Sequence, residues 1–165
     1  MSKELSQKLD EIAIIWNTRY PEIFEGRSFF EKVMREYRYT SAEGWEHTAD
    51  IAHNFKGVDF YKGVTQGDNI LAETAVSMKT TLTKDVDAWL NSEPIKRNIG
   101  FLREGFSNRG LESNGKIMFF EKAEIHIYMP KENITSTLSS EWINKLNTVD
   151  KNIRFEIRAL EEFIK

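Results

Sequence analysis

The chain has 165 residues, 40% hydrophobic and 12% aromatic, which excludes a disordered tail and is long enough to bury a core. It has no cysteine, which excludes disulfides, thiolate nucleophiles and cysteine zinc sites. Its net charge of −3 weighs against a strongly basic nucleic-acid binder, although 23 Lys and Arg leave room for a local patch.

No stretch approaches the roughly 20 apolar residues of a membrane span. The opening "MSKELSQKLDEIAIIWNTRY" is mixed and charged and does not read as a signal peptide. Leu5, Leu9, Ile12, Ile15 and Trp16 recur at helical spacing, with Ser2 as N-cap and Pro21 as stop. A second helix is expected from Ser28 to about Tyr39, with Phe29, Phe30, Val33, Met34 and Tyr37 on its apolar face. Thr40 to Phe55 fits either a short helix or an irregular strand. Val58 to Lys62 and Leu71 to Thr81 read as strands joined through the turn-rich "TQGDN". Helices follow over Thr83 to Ser92 and from Pro94 to about Gly105, and "SNRGLESNG" reads as a loop. A strand over Lys116 to Met129 contains the strictly alternating "AEIHIYMP". A helix in "SSEWINKLN" and a strand in "NIRFEIRAL" complete a βαβ unit. The expectation is one domain over 1–165, with N-terminal helices at about 2–39 and a core at about 56–163. Its class is α/β, an α+β sandwich with a mixed central sheet flanked by helices.

The hairpin carries unusual chemistry for a purely structural element. Alternate residues of a strand share a face, which groups Glu73, Ala75, Ser77 and Lys79 on the returning arm and Asp59 with Tyr61 on the first. Antiparallel pairing can bring Asp59 beside Ser77 and Lys79. A carboxylate and a hydroxyl suit a hard divalent cation such as Mg²⁺. Such an ion activates a bound water beside a scissile phosphate, and a lysine offsets the developing charge.

"NFKGVDFYKG" and "AETAVSMKTT" together resemble the core of the PD-(D/E)XK nuclease superfamily, whose fold is restriction-endonuclease-like. More narrowly, they are similar to the tRNA-cleaving C-terminal toxin domains of bacterial contact-dependent growth-inhibition proteins. The distal "AEIHIYMPKENIT" and "WINKLNTVDKNIRFEIRAL" follow that family's order of elements, so the resemblance spans roughly Gly26 to Phe163. It implies Asp59 as metal-binding carboxylate, Ser77 at the second ligand position, Lys79 as catalytic lysine and Glu31, in "RSFFEKVM", as a helical metal ligand. Thr80 would support the strand, and Asp50 matches an upstream acid of some relatives. It further implies a divalent metal (Mg²⁺, with Mn²⁺ or Zn²⁺ as alternatives), a tRNA substrate, a cognate immunity protein, and delivery from a secreted cell-surface protein into a target bacterium without membrane insertion by this domain. The long "VTQGDNILAET" departs from the family's short turn, so Glu73 and Asp68 stand as alternative ligands.

Other residues have plainer readings. Glu31 also fits a surface pair with Arg35 at i+4. His47, His53 and His126 have no ligand spacing, and His126 reads as a surface residue on the polar face of its strand beside Glu124 and Tyr128. His53 lies near the expected site in sequence and suits a phosphate contact. Trp45, Trp89 and Trp142 read as core. Lys96, Arg97 and Arg103 form either a phosphate-binding stripe or a solvated helix face. The competing functions are an acidic, non-catalytic binding module such as an immunity protein, and a DNA-cleaving nuclease of the same superfamily.

Overall fold

The computed structural model describes residues 34–35, 38–52 and 55–159. The two expected N-terminal helices lie outside these residues, apart from Met34 and Arg35, which are helical, and Arg38 and Tyr39, which form a turn and a bend rather than helix; Glu31 and His53 lie outside them as well. The segment expected to be helix or strand is neither for long. It holds 3₁₀ turns at Ser41–Glu43 and Thr48–Asp50 around a two-residue strand, β1 (Glu46–His47).

The hairpin is longer and tighter than its sequence suggests. β2 spans Phe60–Gln66 and β3 spans Asn69–Thr80. Gln66 pairs directly with Asn69, so Gly67 and Asp68 alone make the turn, and Gly67 takes φ 64°, which a glycine adopts at no steric cost. Two short helices follow, α1 (Val86–Asn91) and α2 (Glu93–Gly105). The first starts later than expected because Asp85, not Thr83, accepts from the N–H groups of Asp87 and Ala88. The expected loop contains a short strand, β4 (Leu111–Ser113). β5 (Lys116–Met129), α3 (Ser136–Leu146) and β6 (Ile153–Ala159) complete the chain in the expected order.

The sheet is mixed. β2 runs antiparallel to both its neighbours, β1 and β3, and β5 runs parallel to β3. The far edge of β5 is shared: its first residues pair antiparallel with β4, and Ala123 to Met129 pair parallel with β6. β5, α3 and β6 thus form a parallel βαβ crossover.

One bulge shapes this sheet. Lys62 faces Thr74 but Gly63 faces Ala72, which leaves Glu73 as an extra residue on β3. Gly63 is obligatory there, because a Cβ would lie 2.1 Å from the Leu71 carbonyl oxygen. The bulge breaks the simple alternation: Ile70 and Ala72 lie in the helix-side core, and beyond Glu73 that role passes to Ala75. β5 changes phase beside it, from Met118 and Phe120 to Ala123, Ile125 and Ile127. The helices cover this face, where Trp89 and Trp142 sit 5.7 Å apart and the Trp142 indole N–H donates to the Lys84 carbonyl at 2.9 Å. Trp89 and Trp142 are core, as expected, whereas Trp45 is half-buried, set edge-on to Tyr39 with the Lys62 ammonium 4.7 Å from its ring. On the opposite face Tyr39 stacks on Phe60 at 4.5 Å and packs beside His126.

Candidate active site

Asp59 immediately precedes β2 and continues its pairing. Its N–H donates to the Val76 carbonyl at 2.8 Å, and Val76 is also the residue that Phe60 faces, so Asp59 and Phe60 both sit against Val76 in a bulge at the end of the β2–β3 ladder. The Asp59 Oδ2 then accepts from the Met78 N–H at 2.7 Å, so the carboxylate takes the place of a backbone acceptor at the strand end. Thr48 holds the other side of Asp59. Its N–H donates to the Asp59 carbonyl at 3.0 Å, and its hydroxyl lies 2.7 Å from the Val58 carbonyl. Asp59 is therefore fixed through its N–H, its carbonyl and its side chain before any ligand arrives.

Ser77 is 1% exposed and points toward the helices, where its hydroxyl donates to Asn98 Oδ1 at 3.1 Å. Asn98, on α2, is itself buried, and its Nδ2 has no hydrogen-bond partner among the described residues. Lys79 lies two residues further along β3 and is half-buried. Burial holds its ammonium below the usual lysine range, and the Asp59 charge opposes that shift. Lys79 lines a cavity of about 470 Å³ together with Thr80, Thr81, Ser92, Trp89 and Ile95. Its lining thus combines hydroxyl-bearing residues with the apolar Trp89 and Ile95.

The remaining sequence candidates are elsewhere. Asp50 makes a two-point ion pair with Arg35, at 2.6 and 3.1 Å. Asp68 pairs with Lys116 at 3.1 Å at the turn, and Glu73 is exposed at the bulge. Lys96 and Arg97 are exposed on α2, whereas Arg103 is held by Asp150 at 2.9 Å.

His126 corrects the sequence reading. It is 2% exposed rather than a surface residue, because the segment around Tyr39 covers the polar face of β5. Its Nε2 lies 2.8 Å from Glu124 Oε1 and 3.1 Å from Glu156 Oε2. The hydrogen bond from His126 is the largest cause holding the Glu124 carboxyl below its usual range. The Tyr39 hydroxyl bridges His126 Nδ1 and the Tyr128 hydroxyl, and burial pushes the Tyr39 phenol far above its usual range. Glu124, His126 and Glu156 each offer one donor atom, all within 4.8 Å of one another, so the group could hold a metal ion. Glu124 and His126 are two apart on a strand, a spacing visible in the sequence; Glu156 arrives only through the β5–β6 pairing opposite His126. Thr48 and Asn98 carry no sequence signal, since nothing local marks them.

Among the described residues no helix is long and apolar enough to cross a membrane. No protein-family model matches the chain. No curated protein matches it. Among solved structures the chain is similar to a CdiA-CT/CdiI toxin and immunity complex from Yersinia pseudotuberculosis, at 14% sequence identity and a TM-score of 0.44, over 79% of this chain and 97% of that one.

Proposed function

We propose that the chain is a metal-dependent nuclease of PD-(D/E)XK type that hydrolyses a phosphodiester bond, with Asp59, Ser77 and Lys79 at its centre. The observation that supports this reading is the Asp59 carboxylate seated against the Met78 N–H at the end of the hairpin, with its charge acting on the half-buried Lys79 next along β3. Carboxylate and hydroxyl oxygens suit a hard cation. Asp59 is pre-oriented by the Met78 N–H, and Ser77 directs its proton to Asn98, which leaves its lone pairs for ligation. Asp59 and Ser77 would hold Mg²⁺ or Mn²⁺, with Glu31 as a further ligand. When bound, the cation supplies an activated water and offsets charge on the phosphate. Lys79 would place its amine beside the scissile phosphate, where desolvation strengthens its pull on developing negative charge. The threonine hydroxyls of the adjoining cavity would donate to phosphate oxygens.

The hairpin's sequence resemblance supports tRNA as the substrate, a toxin role, and a cognate immunity protein as partner. The net charge of −3 favours the competing reading as a binding module of immunity type. One experiment separates them. Total tRNA and plasmid DNA are incubated with the protein and Mg²⁺ or Mn²⁺, with chelation as control, for wild type, Asp59→Ala and Lys79→Ala. Metal-dependent cleavage by the wild type alone is expected, with tRNA preferred. Cleavage that persists in both variants removes the site, and no cleavage of either substrate returns the binding module.

A further inference from the structure

The face of the sheet opposite the helices holds a second constellation that the proposed reaction does not use. His126 Nε2 sits between two carboxylate oxygens, at 2.8 Å from Glu124 and 3.1 Å from Glu156. A proton bridges these groups in the metal-free molecule, since carboxylates only accept. We propose that Glu124, His126 and Glu156 form a separate metal site that takes a zinc-type transition ion in place of that proton, and so ties Tyr39, β5 and β6 together.

The donor chemistry selects the ion. One imidazole and two carboxylates suit Zn²⁺ or Co²⁺, whereas Mg²⁺ prefers oxygen ligands alone. Tetrahedral ligands at ~2.0–2.1 Å from zinc stand roughly 3.3 Å apart. The two imidazole–carboxylate separations need to open by only a few tenths of an ångström to match. The two carboxylates, within 4.8 Å of each other, close by at most about 1.5 Å. Their side chains are 20% and 26% exposed, which leaves room for that rotation.

An outer shell already orients the ligands. Glu156 Oε1 is taken by Arg158 at 2.6 Å and Arg38 at 3.5 Å, which aims Oε2 at the imidazole. His126 Nδ1 is fixed by the Tyr39 hydroxyl, in turn 2.8 Å from that of Tyr128. Zinc-bound histidines are held through their second nitrogen in this way. A route in exists as well: Glu124 and Arg154 line a cavity of about 510 Å³ beside β6. The nearby guanidiniums weaken cation binding without removing a donor atom, so affinity is expected to be moderate. The site does not depend on Asp59 or on nuclease activity.

The test is titration of the metal-stripped full chain with Co²⁺, followed by visible absorption, and with Zn²⁺, followed by thermal unfolding and by the His126 ring ¹⁵N shifts. One equivalent with a d–d spectrum of imidazole–oxygen ligation is expected. A zinc excess of a hundredfold over Kd should raise Tm by roughly 5–10 °C. Glu124→Gln and Glu156→Gln, which keep the side-chain shape, should each weaken tenfold or more the Co²⁺ binding read from the imidazole–oxygen d–d band, and that band should persist when the proposed hairpin metal site is saturated with Mg²⁺. If neither carboxamide variant alters Co²⁺ binding, or if saturating Zn²⁺ leaves the His126 nitrogens unmoved in the folded wild type, the site is overturned.

Discussion

Replacing Asp59 by asparagine separates its structural role from its chemical one. The carboxylate accepts the half-buried Met78 N–H at 2.7 Å. The amide oxygen of asparagine can accept the same bond, so Asp59→Asn should cost no more than ~1 kcal/mol. Asp59→Ala leaves that N–H without its acceptor, for a penalty of about 1–3 kcal/mol. At roughly 2–4 °C per kcal/mol for a chain of this size, the alanine variant should lose about 2–12 °C in Tm and the asparagine variant at most about 4 °C. Activity should behave in the opposite sense. Removing the charge takes away an anionic ligand and should cut metal-dependent cleavage by about 10²–10³-fold in both variants. Calorimetry and gel-based cleavage on the same samples supply both numbers. An asparagine variant that cleaves within tenfold of wild type would refute the ligand role, and one as unstable as the alanine variant would refute the hydrogen-bond accounting.

Lys79→Met should lower cleavage by about 10²–10⁴-fold without lowering Tm, because the lysine is held in a site that disfavours its charge. The sign of the pH effect follows from the same depression. The folded form releases the proton at a lower pH than the unfolded chain, so wild-type stability should rise from the folded-state pKa up to the unfolded value of 10.5. Urea denaturation at neutral and alkaline pH should show that rise in the wild type and less of it in Lys79→Met. Gly63→Ala should destabilise by roughly 1–3 kcal/mol or more, since its Cβ meets the Leu71 carbonyl at 2.1 Å and the bulge must open; unchanged amide-exchange protection along β2 would contradict this. Trp142→Phe should cost about 1–3 kcal/mol in thermal unfolding, because the Lys84 carbonyl loses its indole donor.

Much of the architecture was legible because the signals are local. Pro94 starts α2 near its observed beginning, and the alternation from Ala123 to Met129 is a strand packed between two neighbours. Ser77 and Lys79 could be grouped because alternate residues of one strand share a face, whereas the seating of Asp59 on the Met78 N–H belongs to the strand end and follows no period. The bulge was not legible. It depends on the close approach of Gly63 to a carbonyl across the ladder, and it moves Ala72 from its expected face to the side of Ala75. His126 was misread for a related reason: a polar face on a strand says nothing of what packs over it, and here Tyr39 does.

The sequence by itself determined the kinds of element, their order, and which acid, hydroxyl and amine could meet on one hairpin, because those follow from repeat, caps and turn residues within a few positions. Only the tertiary structure decided how Thr48 clamps the Asp59 backbone, how Asn98 receives the Ser77 proton, and how Glu156 joins His126 across two parallel strands. These contacts join residues 11, 21 and 30 positions apart. No local preference encodes such separations; they arise when the sheet closes on its core and the buried polar groups must find partners.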